Sequence, residues 1–253
     1  MKTIPSLVVV GVASAACAQT SVYYLSDSDN DRLNAYQNQT QLWDQPQQFG
    51  DEYPLAVVID AEGFRTVGTS GGQAGGRYDP GGNYIGPSYT NRTNEVHWDS
   101  TSNRSTNNYL VGWGTNNVYA TDTDFENPVF LFSINSGDAL GITYDPMNDS
   151  LWIADFSGGL VTNYDLAGNV LSSFNSGLTN QAALALDWAD DTLWQVEWLT
   201  QTAYQWDKAG NLLQSFFDPN MTPNPLGAEM AIPAPGALTL LGVGGLLAGR
   251  RRR

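Results

Sequence analysis

The sequence predicts an all-β fold: a five-bladed β-propeller of four-stranded repeats about 43 residues long, set between an N-terminal signal peptide and a short C-terminal hydrophobic helix. Three observations predict it. The pattern aromatic-Asp-x-x-Gly-Asn occurs at Tyr78-Asp79 with Gly82-Asn83, at Tyr164-Asp165 with Gly168-Asn169, and at Trp206-Asp207 with Gly210-Asn211, so that its aromatic positions lie 86 and then 42 residues apart. A second row keeps the same register at Tyr24, Thr66, Tyr109, Trp152 and Trp194, with steps of 42, 43, 43 and 42. Within one repeat, residues 140–144, 151–155, 160–164 and 170–174 are short runs rich in β-branched and aromatic residues, parted by Pro-Met-Asn-Asp, Ser-Gly-Gly and Ala-Gly-Asn turns. No segment of the body keeps a helical period. A β-sandwich also has short strands, but nothing in it imposes one register on five segments.

The N-terminal element is Met1-Lys2-Thr3 followed by an apolar stretch that ends in Ala16-Cys17-Ala18. This is the three-part pattern of a secretory signal, expected over residues 1–18, with Ala16 and Ala18 marking cleavage by signal peptidase after Ala18. A lipoprotein acylated on Cys17 is the competing reading, but its signal wants an aliphatic residue where Ser14 stands. A retained anchor is disfavoured because the apolar run is shorter than the roughly 20 residues a spanning helix needs. Cys17 is the only cysteine, so cleavage leaves a mature chain without disulfides, thiol catalysis or cysteine-bound metal.

The body is expected over residues 19–230, with blades at about 19–52, 53–94, 95–137, 138–180 and 181–217. A third row, small-or-Pro then Leu, marks the first strand of a blade at Pro54-Leu55, Ala139-Leu140, Ala183-Leu184 and Pro225-Leu226, and Val96-His97-Trp98 takes its place in the third blade. Blade one starts at Ser21 without a first strand of its own, while residues 225–230 repeat the first-strand pattern after blade five. The chain's end is therefore expected to complete its first blade and close the ring, which removes exposed strand edges. In wording, residues 22–33 (Val-Tyr-Tyr-Leu-Ser-Asp-Ser-Asp-Asn-Asp-Arg-Leu) resemble the strand-turn-strand segment of NHL-type and YVTN-type propeller repeats. That resemblance implies a binding scaffold and no particular reaction.

The formal net charge is −15, and the five positive charges of Lys2, Arg250, Arg251, Arg252 and Arg253 lie outside the body, which carries −20. No Lys or Arg stands between Arg104 and Lys208. Such a body repels phosphate backbones and anionic lipid surfaces, which excludes nucleic acid as a partner. It leaves calcium, cationic partners or an extracellular polysaccharide.

Candidate site residues are few. Asp27, Asp29 and Asp31 stand in a run that opens like a calcium loop, but the Gly and distal Glu of an EF-hand are replaced by Arg32 and Asn38, and a solvated turn is the plainer reading. Asp27, Asp155 and Glu197 each follow an anchor by three residues and would share one rim of the ring, where acids suit calcium or a sugar. No other cofactor is expected. One residue on, Trp113, Phe156 and Trp198 suggest sugar stacking, although period-two alternation puts them with the anchors and favours packing. Gly68-Thr69-Ser70-Gly71-Gly72 matches the Gly-x-Ser-x-Gly string, but the register places it in a turn between strands, without the strand-to-helix elbow a nucleophile needs, and His97 is the only histidine. Asp187, Asp190, Asp191 and Glu197 are candidates for a glycosidase carboxylate pair, the enzymatic alternative to a binding module.

The tail spans residues 231–253. Pro233, Ala234 and Pro235 precede 14 apolar or small residues, 236–249, and then Arg250, Arg251, Arg252 and Arg253. As a helix, 236–249 measures about 21 Å against a hydrocarbon core of about 30 Å. The arginines would hold the end at the cytoplasmic headgroups and leave the body outside. This layout resembles the PEP-CTERM sorting signal, with Ala234 where the family has Glu. The resemblance implies an exosortase-type enzyme that cuts near Pro233, Ala234 and Pro235, a transient membrane association, and delivery to the cell surface or medium. Such tails are also described as ice-binding-protein C-terminal regions, a description that covers the tail alone. An uncut tail anchor is the alternative.

Overall fold

The computed structural model describes residues 21–231 except 28, 50–53, 61–62 and 136. The expected signal peptide with Ala16 and Ala18, and the expected tail with Pro233, Ala234, Pro235 and Arg250, Arg251, Arg252 and Arg253, lie outside the described residues. Among the described residues no helix is long and apolar enough to cross a membrane.

Those residues form five four-stranded antiparallel sheets. From the axis outward, blade two is β4 (Ala56–Ile59), β5 (Phe64–Val67), β6 (Ala74–Tyr78) and β7 (Tyr84–Thr90); blade three is β8 (His97–Ser102), β9 (Asn107–Gly112), β10 (Asn117–Asp122) and β11 (Val129–Ser133). Blade four is β12 (Ala139–Asp145), β13 (Ser150–Asp155), β14 (Leu160–Asp165) and β15 (Val170–Asn175), and blade five is β16 (Gln181–Asp187), β17 (Thr192–Glu197), β18 (Thr202–Trp206) and β19 (Leu212–Phe217). Blade one is composite: β20 (Pro225–Ala231) lies innermost, followed by β1 (Val22–Asp27), β2 (Arg32–Gln37) and β3 (Thr40–Pro46). The chain is a five-bladed β-propeller.

Burial falls from axis to perimeter. Every residue of β12 and β16 is buried, so these strands read as continuous small or apolar runs such as Ala-Ala-Leu-Ala-Leu, whereas β3 alternates between exposed and half-buried positions. Val22 pairs with Ala231, so the described chain enters and leaves the ring at one face, called the lower face below. The second strands of the blades rise from it and end at the upper face with Asp27, Asp155 and Glu197.

The repeated Asp-x-x-Gly-Asn motif closes the hairpin between third and fourth strands. Oδ1 of Asp79, Asp165 and Asp207 accepts the backbone N–H of Asn83, Asn169 and Asn211 at 2.8–2.9 Å, and each Asn side chain donates back to the same carboxylate. These donors hold the three carboxyls below their ordinary range, the Asn side chain first among them. The glycines adopt φ of +80°, +85° and +87°. They also receive a neighbour: a Cβ on Gly168 would stand 2.8 Å from Phe132 Cβ, and one on Gly210 would stand 2.5 Å from Phe174 Cβ. The outer-strand aromatic of one blade thus seats beneath the turn of the next, and Trp43 does the same under Gly82. Blade three uses a longer turn, in which Phe125, at φ 60°, meets Tyr89 edge-on with ring centroids 5.8 Å apart. Trp43, Tyr89, Phe132, Phe174 and Phe216 form the outer row of inter-blade packing.

Two rows of the sequence reading shift on folding. In blade two Phe64 pairs with Tyr78 and Arg65 with Arg77, as Leu151 pairs with Tyr164 and Trp152 with Asn163 in blade four, so the anchor position is Arg65 and not Thr66. A one-residue offset turns a strand side chain to the opposite face, so Thr66 points back toward blade one. Likewise Leu55, Leu140 and Leu226 join one cluster, with Trp98 against it, but Leu184 packs between blades four and five, and Ala182 and Ala183 fill the vacated place. The pairings show why: Ile142 lies opposite Ile153 and Leu184 opposite Gln195, one position before the partners of Trp152 and Trp194, so Leu184 matches Ile142 and the residue that matches Leu140 is Ala182, two positions earlier.

Gly168→Ala is expected to destabilise the fold by about 2–4 kcal/mol, from backbone strain at positive φ plus the overlap with Phe132. Gly114→Ala, at φ +74° with nothing within 4 Å of its Cβ, isolates the strain alone and should cost about 1 kcal/mol. Urea unfolding midpoints of the two variants check the difference; equal losses would remove the seating argument.

Candidate functional site

The innermost strands β20, β4, β8, β12 and β16 pack side by side around the axis. Each has a hydrogen-bonded neighbour on its outer side only, so the N–H groups along its inner edge need other acceptors in a space closed to water. Asp99 supplies them. Its Oδ1 accepts from Ser100 N–H at 2.9 Å and Ala228 N–H at 3.0 Å, and its Oδ2 from Ile142 N–H at 3.0 Å and Leu184 N–H at 3.1 Å. One carboxylate so ties blades three, four, five and one. It can reach all of them because the corresponding positions of the other inner strands are Ala56, Gly141, Ala183 and Gly227. A Cβ on Gly141 would already stand 2.7 Å from Leu184 Cβ.

Two residues along, on the same face of the strands, a second layer repeats the device. Thr101 Oγ1 accepts Tyr144 N–H at 2.9 Å and donates to Glu229 Oε1. Thr143 Oγ1 accepts Leu186 N–H at 2.9 Å and donates to the same Glu229 oxygen at 3.4 Å, while Glu229 Oε2 accepts Met230 N–H at 3.1 Å. Arg104 closes the lower end: its Nη2 donates to Met230 O, and its guanidinium lies 3.8 Å over the ring of Trp188.

Asp99 is 0% and Glu229 2% exposed. Burial pushes the Asp99 carboxyl well above the carboxylate range and Glu229 adds to it, against the N–H donors of Ala228, Ile142 and Leu184. Burial raises Glu229 from its ordinary 4.5 to about 7, against Arg104 and the donors of Thr101, Met230 and Thr143. The pair resembles an acid-base dyad in composition, but its atoms are spent on the backbone and the two threonines. At the upper end Leu55, Leu140, Leu226 and Trp98 cover it.

Around that plug, at the upper mouth, runs a chain of half-buried aromatics. Trp98 stacks on Trp113 with centroids 5.0 Å apart, Trp113 meets Phe156 edge-on at 5.4 Å, and Phe156 meets Trp198 at 5.7 Å. The row predicted from Trp113, Phe156 and Trp198 is thus one continuous arc, packed on the axial cluster with part of its surface open.

The predicted rim acids share the upper face but do not converge. Asp27 is buried and folds its own turn, with Oδ1 accepting Asp29 N–H at 2.7 Å and Oδ2 accepting from Asn30 at 2.9 Å. Asp29 takes the side chain of Asn224, and Asp31 begins the next strand's turn at φ 50°. Asp155 accepts N–H groups of Ser157 and Gly158 at 3.1 Å, and Glu197 is met by Tyr204 Oη at 3.4 Å. Among the described residues no three His, Cys, Asp or Glu side chains cluster as metal ligands do. Of the glycosidase candidates, Asp187, Asp190 and Asp191 lie at the lower end of the β16–β17 hairpin. Glu197 lies at its upper end, opposite Gln181 and about 17 Å along the strand. Ser70 lies in the bend between β5 and β6, where its N–H donates to Gln73 Oε1 at 2.7 Å and its carbonyl accepts Gln73 N–H at 3.0 Å. His97 is buried in β8, 2.6 Å from Thr93 Oγ1, with its basicity lowered by burial.

Sequence reading missed Asp99 and Arg104. The signal for Asp99 was present: it is the one acid in a register position that is Ala or Gly in the other four blades.

No protein-family model matches the sequence, and comparison with curated proteins gives no match. Solved structures do resemble it. The nidogen/laminin complex aligns with TM-score 0.60 at 12% identity, over 83% of this chain and 98% of the other, and a protein of unknown function from Bacteroides caccae with TM-score 0.58 at 11% identity, over 85% and 100%. Virginiamycin B lyase from Staphylococcus aureus aligns with TM-score 0.48 at 14% identity, over 81% and 69%. At these identities the likeness is one of fold alone.

Asp99→Leu strands N–H groups of three other blades and is expected to cost about 3 kcal/mol or more, read as the urea midpoint. Glu229 sets a pH dependence. Between about pH 4.5 and 7 the folded protein holds a proton that the unfolded chain has released, so this stability is complete below pH 4.5 and is lost as pH rises through 7. The loss is on the order of 3 kcal/mol. Glu229→Gln should flatten that part of the profile; an unchanged slope between pH 5 and 7.5 would contradict the assignment.

Proposed function

We propose that the protein is an exported propeller, sorted by its tail to the cell surface or the medium, that acts as a binding or structural module through its faces and not through a catalytic axis. The sealing of the axis carries this reading, since the two carboxylates nearest it are 0% and 2% exposed and are consumed by backbone donors. The separation of Asp187 from Glu197 across the length of a hairpin supports the same reading over a glycosidase. Export follows from residues 1–18 and sorting from the motif at Pro233, Ala234 and Pro235 with its apolar and arginine-rich sequel. A cut there falls beyond Ala231, the last residue of the closing strand, so processing would spare the ring. An extracellular polysaccharide suits the half-open aromatic arc, and signal peptidase and an exosortase-type enzyme are the processing partners.

Intact mass of the protein recovered from a host with an exosortase-type system tests the sorting. A product starting at Gln19 and lacking Arg250, Arg251, Arg252 and Arg253 is expected, and retention of Arg253 would overturn it. Glycoside hydrolysis is expected to be absent across aryl-glycoside substrates; turnover that Glu197→Gln abolishes would reverse the choice between module and enzyme.

A further inference from the structure

The repeat supplies its own control. The residue just before the cross-strand partner of each anchor is Asn34, Gly76, Tyr119, Thr162 and Tyr204 in blades one to five. Tyr119 and Tyr204 carry a ring into their junctions, where Tyr119 Oη donates to Glu95 at 2.9 Å and Tyr204 Oη to Glu197 at 3.4 Å. Beside Gly76 the rings of Tyr84 and Phe49 come within 2.9 Å and 3.2 Å of the place of a Cβ, and beside Thr162 a space of about 10 Å³ remains. In blade one Asn34 turns its amide onto Asp44 Oδ1 at 2.8 Å and lines an open cavity of about 360 Å³. Asn30, Arg32 and Asn34 form one wall, and Gln201 with the connection 219–223 from blade five to the closing strand forms the other, so the cavity lies at the seam of the ring and opens on the upper face.

Three side chains of this cavity are fixed at one polar atom and keep another. Arg32 grips Asp44 through Nε and Nη2, 2.8 Å from Oδ1 and Oδ2, which leaves Nη1. Gln201 donates Nε2 to Pro219 O at 3.1 Å and to Met221 O at 2.6 Å, which orients its amide and leaves Oε1 as an acceptor. Asn30 donates Nδ2 to Asp27 Oδ2 at 2.9 Å and leaves Oδ1. Charge, by contrast, is spent: Arg32 is paired with Asp44, and Asp27, 0% exposed, holds the donors of its own turn. Two acceptors beside one donor, without a free charge, suit neighbouring hydroxyls, which donate and accept at once. The cavity also adjoins the aromatic arc. Leu199, next to Trp198, donates its N–H to Pro223 O on the cavity wall at 3.1 Å. Leu199 is 58% exposed at φ 69°, a strained backbone for a bulky residue that holds an apolar side chain in solvent between arc and cavity.

We propose that the seam cavity and the adjoining arc form one site for a neutral glycan, with a terminal pyranose in the cavity and the following sugars over Leu199, Trp198 and Phe156. The volume of the cavity, at the small end for ligand pockets, admits about one sugar ring. Hydroxyls on adjacent ring carbons meet Arg32 Nη1, Gln201 Oε1 and Asn30 Oδ1, and the C–H faces of the next sugars meet the aromatic surface. The strongly acidic body disfavours an anionic chain. The proposal rests on the reading of the ring as a binding module and names its ligand class and the seat of the ligand.

Titration calorimetry of the full chain tests it, with cellohexaose, laminarihexaose, maltohexaose and mannohexaose as neutral probes, hexagalacturonate as an anionic one and hexaglucosamine as a cationic one. At least one neutral hexamer is expected to bind about tenfold more tightly than either charged hexamer, and the methyl glycoside of its sugar to bind more weakly. Arg32→Lys, which keeps the charge beside Asp44 and loses Nη1, should weaken hexamer and methyl glycoside about tenfold with an unchanged unfolding midpoint. Asn34→Tyr, which gives blade one the side chain of blades three and five, should abolish both. Trp198→Leu should weaken the hexamer about tenfold and leave the methyl glycoside unaltered, which also reports that the ring is still folded. Hexamer binding indifferent to Arg32→Lys overturns the seat in the cavity, binding indifferent to Trp198→Leu overturns the extension over the arc, and tightest binding of a charged hexamer overturns the neutral class. Each of these spares the binding module, whereas no binding in any arm counts against both.

Discussion

The ring depends on one constraint: five strands meet on an axis, and the inner edge of each carries N–H groups that water does not reach. A small side chain there would leave donors stranded at a cost of about 1–3 kcal/mol each. Asp99 answers four of them with two oxygens, and the Thr101, Thr143 and Glu229 layer answers more two residues further along. The geometry works only because the neighbours of Asp99 on the other strands are Ala or Gly. A larger side chain at Gly141 would strike Leu184 before any contact could form. The carboxyl groups at the axis are therefore structural elements that join blades far apart in sequence, Asp99 to Ala228 across 129 residues. This is also what lets a ring with no disulfide among its described residues hold its closing strand: β20 is fixed outward by β1 and inward by Asp99.

Away from the axis the blades are held by aromatic anchors and by turn glycines that admit an aromatic from the preceding blade. These two devices share a cause. A blade is a twisted sheet, and twist opens the space between neighbouring blades toward the perimeter, so larger side chains are needed there than at the axis. The gradient from Ala and Gly beside Asp99 to Trp43, Phe132, Phe174 and Phe216 on the outer strands follows it. The second junction breaks the gradient with Arg65 and Arg77, which line a cavity of about 280 Å³.

Much of this was legible in the sequence, and the limits of legibility have a physical origin. The number of blades, the four strands in each and the Asp-Gly-Asn hairpins are local or periodic, and a period of about 43 residues exposes them. The anchor in blade two was misplaced by one residue, at Thr66 for Arg65, because an aromatic pattern cannot locate a position where the aromatic has been replaced. Leu184 was misplaced by two residues, since it matches Ile142 and not Leu140, because a run of small and apolar residues such as Ala182 to Leu186 offers a small-then-Leu pair at more than one position. Asp99 stands out only once the inner strands are aligned, because its partners are backbone N–H groups, which carry no sequence signature of their own, and the acids that did stand out, Asp27, Asp155 and Glu197, are engaged within their own blades.

The two faces of the ring are chemically different, and the path of the chain gives the difference a direction. Val22 and Ala231 are paired at the lower face, so any segment beyond them leaves from that side. The aspartates of the third-to-fourth-strand turns, and the arginine-lined cavity among them, lie on the same side. The aromatic arc of Trp98, Trp113, Phe156 and Trp198 lies on the other. A ring held by its tail would present the arc outward and keep the cavity near its point of attachment, whereas a ring released by cutting beyond Ala231 would expose both. Attachment through such a tail would therefore bear on the lower face alone and leave the aromatic arc on the upper face free.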